Sequence, residues 1–305
     1  MPYNIYFLIF EALIILLFGF TIRHALKKGP ANVFQLLAGV LFGIFLELAT
    51  IQQLHAYRYG NFLLMVYNVP LVIGISWGII LYCIRLTSDK SNIPWMIRPL
   101  LDGLLALNID LAMDAVAIRL GMWDWGKGWG FEYFGVPFAN FWAWFWVAFS
   151  FSAGIRFLTH WLVKLPESGQ SCSRSAWKTD LAIALGGLLA GLAGVLGTNA
   201  LIVYVVPEKY RPWVIAATLL GALVLALYHR PKFTGSHHDP ITFWIPFAFH
   251  VYFLAAGIVS RVIFQPMVLL YMSFAMLALS CYWHKSYLGR RGRRIDYRSG
   301  GILGD

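Results

Sequence analysis

Apolar residues run in stretches of about 20 along nearly the whole chain, the length that crosses a hydrocarbon core as a helix. Polar or proline-containing links separate them. Spans fall at 4–23, 32–54, 62–85, 99–120, 137–162, 179–206, 212–228, 241–263 and 266–284. The last two are divided only by Gln265-Pro266, where proline starts a new helix. The pattern predicts an all-α fold, a polytopic membrane helix bundle of about eight or nine transmembrane helices over 1–284, followed by a basic tail over 285–305. No internal repeat is visible. The first span has neither a basic n-region nor a small-residue cleavage site, so it reads as a membrane helix and not as a signal peptide.

Composition agrees. Only 12% of the 305 residues are charged, 59% are hydrophobic and 17% aromatic, and the mean hydropathy is +0.67. Soluble domains carry about a quarter charged residues, so a water-soluble globule is excluded, as are disorder and coiled coil. Cys83, Cys172 and Cys281 form neither a disulfide framework nor a zinc-type spacing. The net charge of +10 raises nucleic acid as a partner, but its distribution explains it otherwise. The links after spans 1, 3, 5 and 7, together with the tail, hold eighteen Lys and Arg against six on the other side. That bias places the tail in the cytoplasm and the N-terminus outside, with the lipid bilayer as partner and no nucleic acid. Gly39-x₃-Gly43, Gly74-x₃-Gly78 and Gly187-x₃-Gly191, continued by Gly194 and Gly197, mark faces for close helix packing.

Chemistry is sought where polar groups are expensive. An ionisable side chain at the bilayer centre costs about 2.5–3.5 kcal/mol on insertion scales. Helix 4 holds Asp102, Asn108, Asp110 and Asp114; Asp110 and Asp114, spaced i and i+4, share one face. Glu47 of helix 2 lies at nearly the depth of Asp114, and Asn68 and Asn140 lie in the same outer layer beside prolines. Asp102 is expected to favour the start of helix 4. The flanking loops are aromatic: Tyr57-Arg58-Tyr59 and Trp123-Asp124-Trp125 suit the walls of a cavity that stabilises a cation, whereas Trp142, Trp144 and Trp146 are expected in the interfacial belt. His237-His238-Asp239 reads as a cytoplasmic loop and His250 as a packed polar group.

The run from Asp110 to Asp114, continued by Arg119-Leu-Gly121-Met-Trp123-Asp-Trp125 and by Tyr133-Phe-Gly135-Val136-Pro137-Phe-Ala-Asn140-Phe141, resembles a membrane carotenoid-biosynthesis family. That family includes CruF-type carotenoid 1,2-hydratases and archaeal bisanhydrobacterioruberin hydratases. Glu47, Tyr57-Arg-Tyr59-Gly60, Val69-Pro70 and Trp77 stand where the family's earlier motifs are expected, and the likeness covers about 40–165. The chain departs from the family in having Ala115 after the second aspartate and Trp142-Ala143-Trp144 after Asn-Phe.

The resemblance implies hydration of a terminal double bond in an isoprenoid or carotenoid, without cofactor or metal. In that reading Asp114 donates the proton, Asp110 or Glu47 partners it, and Tyr57, Tyr59, Asn68, Trp77, Trp123, Trp125 and Asn140 line the substrate site. The same machinery without captured water is a proton-initiated terpene cyclase or isomerase. A proton-coupled lipid carrier would use the same cavity. A magnesium-dependent prenyltransferase needs a second aspartate-rich motif, and a di-iron desaturase needs histidine boxes; the sequence has neither.

Overall fold

The computed structural model describes residues 4–54, 57–126, 131–163, 176–232 and 239–284. The basic tail and the His237-His238 pair lie outside them. Among the described residues are nine α-helices: α1 (Ile5–Lys28), α2 (Pro30–Leu54), α3 (Leu71–Asp89), α4 (Arg98–Arg119), α5 (Phe138–Val163), α6 (Ala176–Ala200), α7 (Arg211–Tyr228), α8 (Ile241–Val259) and α9 (Val268–His284). Six two-residue strands, β1 (Arg58–Tyr59), β2 (Met65–Val66), β3 (Val69–Pro70), β4 (Trp123–Asp124), β5 (Glu132–Tyr133) and β6 (Val136–Pro137), and three short helical turns, at Leu201–Val205, Glu208–Tyr210 and Val262–Phe264, complete the elements. Seven of the helices are long and apolar enough to cross a membrane, and the chain is an integral membrane protein. The two others differ for separate reasons. The 17-residue α9 is short, and α4 has the length but carries three aspartates and two arginines.

Local chemistry sets the joints. The Asn4 side chain accepts from the Tyr6 N–H at the start of α1. Gly29, at φ 113°, ends that helix, and Pro30 opens the next. The buried face of α1 carries Phe7, Phe10, Ile14 and Leu17, while Ile9, Leu16 and Phe20 point outward, as a lipid-facing helix requires. The glycine faces meet as the spacing predicts. A Cβ on Gly39 would lie 3.1 Å from the Gly78 Cα, one on Gly43 would lie 2.6 Å from the Trp77 Cβ, and Gly187 and Gly191 seat Ile155 and Phe151. Gly197 departs from this pattern, with nothing within 4 Å.

The third span begins later than its hydropathy suggests. Residues 65–70 form the β2–β3 hairpin, with Tyr67-Asn68 at its turn and Tyr67 at φ 54°. An equivalent β5–β6 hairpin, with Phe134-Gly135 at its turn and Phe134 at φ 50°, precedes α5. Both α2–β1–β2–β3–α3 and α4–β4–β5–β6–α5 therefore run helix, strand, hairpin, helix, and β1 pairs antiparallel with β4 between the two units. Glu47 and Asp114, Pro70 and Pro137, and Trp77 and Trp144 are each 67 positions apart (114 − 47, 137 − 70, 144 − 77). The expectation of no internal repeat is thus corrected. The duplicated units share backbone plan and a few anchors, too few identities to show as sequence self-similarity.

Asp102 is also corrected. It lies a full turn inside α4, wholly buried, with the Ser152 hydroxyl donating at 2.5 Å and the Arg156 guanidinium at 3.3 Å. It joins α4 to α5 as an ion pair instead of serving the helix start. At the same end of the bundle, Asp239 gathers α1, α3 and α8 by accepting from His24 (3.2 Å), Lys28 and Lys90 (2.5 Å). Burial alone would raise this carboxyl, but the hydrogen bonds from His24, Lys90 and Lys28 outweigh it and hold the group well below the usual carboxylate range. A depressed folded-state value gives stability that is present above the unfolded pKa of about 4 and drains away as pH falls below it. Thermal unfolding from pH 7 to pH 3 should therefore show an acid-side loss that Asp239→Asn flattens, the variant being less stable at pH 7.

Candidate active site

At the hairpin end of the bundle lies a cavity of about 580 Å³ with a mainly apolar and aromatic lining. Its polar floor comes from both units. On α2, Glu47 is buried and accepts three hydrogen bonds, from the Trp77 indole N–H at 2.9 Å, the Tyr59 hydroxyl at 2.7 Å and the Tyr57 hydroxyl. Burial, then the adjoining Glu47 charge, pushes both phenols well above their ordinary range, so each keeps its proton and donates. On α4, Asp110 and Asp114 are held by one amide. The Asn140 Nδ2 lies 3.1 and 3.2 Å from the Asp110 oxygens and 2.6 Å from Asp114.

The β1–β4 pair assembles the aromatic wall. Its register sets Arg58 against Asp124 and Tyr59 against Trp123. The Tyr57 and Trp125 rings then meet edge to face at 4.5 Å, and those of Tyr59 and Trp123 at 6.0 Å. Trp77 reaches the cavity because Gly43 offers no side chain beneath it, and its ring lies 4.4 Å from that of Trp144. The second hairpin is fastened by Arg119, which donates to the carbonyls of Ala115 and Phe134, both at 2.7 Å. The first is held by Glu11, buried on α1, which accepts from the Leu63 N–H at 2.8 Å.

Most residues singled out in the sequence meet here: Glu47, Asp114, Tyr57, Tyr59, Trp77, Trp123, Trp125 and Asn140 all line the cavity. Asp110 does not. It stands behind, wholly buried, and reaches the cavity through Asn140 and Asp114. Asn68 is corrected outright, since the hairpin turn exposes it away from the cavity. Trp142 and Trp144 are corrected in the other direction. Both are buried and line the cavity instead of standing in an interfacial belt. Asn108 turns to the opposite side of α4 and meets the His250 ring at 3.0 Å, so His250 is a packed polar group as expected. Asn199 and Arg211 also line the cavity, and no motif marked them in the sequence.

Removing one donor from Glu47 gives a direct test. A hydrogen bond to a charged acceptor contributes about 1.5–3 kcal/mol, so Trp77→Phe should lower turnover roughly tenfold or more with the protein still folded. Unchanged turnover would show that the Glu47 cluster takes no part.

A family model for carotenoid biosynthesis proteins matches residues 3–207, more than half of the 305-residue chain. The matched stretch contains both duplicated units and extends beyond the 40–165 region of motif likeness to α1 and α6. The chain is thus a membrane protein that belongs to the carotenoid biosynthesis protein family, with a carotenoid-related role. No curated protein and no solved structure matches it.

Proposed function

We propose that the protein is an isoprenoid-modifying enzyme that protonates a terminal carbon–carbon double bond of a carotenoid and adds water to give a tertiary alcohol. The observation that carries this reading is the single Asn140 amide drawing Asp110 and Asp114 together beside Glu47, at the polar floor of an aromatic cavity. Two carboxyl groups drawn to one amide in an apolar site cannot both be charged cheaply, so the pair retains a proton. Glu47, bound by three donors, is an acceptor throughout.

The Asp114 proton passes to the less substituted alkene carbon, and the π electrons form the new C–H bond. The tertiary carbon is left cationic, facing the rings of Tyr57, Trp123 and Trp125, whose π faces attract positive charge. Water adds its oxygen there and loses a proton to the carboxylate cluster, which restores the donor. Capture of the same cation by an internal alkene would give a cyclised isomer.

Expression in a host that accumulates acyclic carotenoids separates the outcomes by mass spectrometry of the extracted lipids. A product heavier by one water supports the hydratase. An isomer of unchanged mass assigns the cyclase or isomerase, and redistribution without a new compound assigns a carrier. A product that requires added magnesium and a prenyl diphosphate would assign the transferase.

A further inference from the structure

The two duplicated units furnish the cavity unequally. Glu47 and Asp114 are equivalent at the spacing of 67, and so are Trp77 and Trp144 (114 − 47, 144 − 77). In the first unit the indole N–H of Trp77 donates to Glu47 Oε1 at 2.9 Å. In the second unit the acid is one methylene shorter and is drawn at 2.6 Å to Asn140, whose equivalent in the first unit is Ile73 (140 − 67). Trp144 is buried, lines the cavity and lies with its ring 4.4 Å from that of Trp77. Unlike Trp77, it donates to no carboxylate, and its indole N–H has no hydrogen-bond partner among the described residues.

Glu47 has the complementary opening. A carboxylate offers about four lone-pair sites, shared equally by its oxygens. The Tyr57 and Tyr59 hydroxyls both bind Oε2 and fill that oxygen, whereas Oε1 accepts from Trp77 alone. One acceptor site thus remains on Oε1, beside the ring against which Trp144 lies. An indole only donates and a carboxylate only accepts, so a group that satisfies both must itself accept and donate. Water does so, and a buried water needs at least about two such partners. An alkene can do neither.

We propose that the Trp144 indole N–H and Glu47 Oε1 hold the water molecule that adds to the cation, which makes Trp144 a catalytic residue of the hydration. This rests on the reading of the protein as a hydratase. Water that accepts from Trp144 and donates to Oε1 keeps one lone pair free. That pair forms the C–O bond with the tertiary carbon, while the O–H bond directed at Glu47 breaks and its proton passes to the carboxylate. Where no water is held, the cation instead loses a proton from a neighbouring carbon to a carboxylate, and an alkene forms again. Asp114 starts both courses, and Trp144 decides between them.

The test is run in D₂O, on membranes that contain the full-length protein and an acyclic carotenoid, with mass spectrometry of the extracted polyene. Protonation leaves deuterium on carbon, in the alcohol when water captures the cation and in recovered alkene when it does not. The wild type should give chiefly alcohol. Trp144→Phe should lower the alcohol about fivefold or more, the share of one hydrogen bond, and raise the ratio of deuterated alkene to alcohol by a similar factor. Trp144→Leu, which also lacks the N–H, is read beside it, so that either variant suffices if it accumulates as folded protein. Asp114→Asn should lower both products together, since both require the first proton. An unchanged ratio in a folded Trp144 variant, or loss of both products, overturns the water site and leaves the hydratase reading standing. Formation of neither product by the wild type, or of a cyclised isomer alone, overturns the hydratase reading together with the water site.

Discussion

Asp114→Asn keeps the size and hydrogen-bonding capacity of the side chain but removes the proton that the proposed reaction needs, so turnover should fall by about 10²–10⁴, the usual contribution of a positioned general acid. The cavity should survive, because the replacement amide can still meet Asn140, and binding of the polyene should change little. Asp110→Asn should cost less. Asp110 touches the cavity only through its neighbours, and its removal leaves Asp114 with Asn140 and Glu47 nearby. Its effect should appear as a displaced pH–rate profile more than as lost binding. Product formation in isolated membranes, normalised to the amount of folded protein, measures both variants. Full turnover by Asp114→Asn would sink the assignment of the donor.

The largest loss of stability is expected at the other end of the bundle, from Arg156→Met. Asp102 has no exposed surface, and without Arg156 it keeps only hydroxyl donors, from Ser152 and Ser88, and the more distant Arg85 charge. Breaking a buried pair by removing one partner costs about 3–5 kcal/mol, because an uncompensated charge stays behind, whereas replacing both partners by apolar groups is often close to neutral. The double variant Asp102→Leu with Arg156→Met should therefore recover much of the loss. Recovery will be incomplete, since Arg156 also bonds the Ser88 hydroxyl at 2.7 Å and pairs with Asp89 at 3.0 Å. Thermal unfolding of the two single variants and the double variant in one detergent closes the cycle. Additive losses in the double variant would show that Asp102 and Arg156 do not act as a pair.

Both sets of acids were visible as anomalies in an apolar chain, but their roles were not equally legible. Glu47, Asp110 and Asp114 stood out because no helix turn or cap accounts for them, and spacing alone puts the two aspartates on one face. Asp102 looked like a helix-start residue because its partner, Arg156, lies 54 positions away (156 − 102) on another helix. Asn68 was misleading for a related reason. Hydropathy averages over a window, so the apolar β2–β3 hairpin merged with α3 and drew its turn residue into the predicted membrane layer. Trp142 and Trp144 were missed because an aromatic run near a helix start reads equally as interface belt or cavity wall.

The sequence by itself determined the class of structure and the helices, because the cost of placing backbone and polar groups in hydrocarbon is set segment by segment. It also brought out the acids and the aromatic pairs on either side of them. The tertiary structure alone decided which of these meet: the β1–β4 register that joins Tyr59 to Trp123, the Gly43 gap that admits Trp77 to Glu47, and the turn of α5 that presents Asn140 to both aspartates. Each is a contact between segments far apart in the chain. Its energy depends on distances that appear only when the two duplicated units close on one another, and no local pattern of apolar and polar residues carries that information.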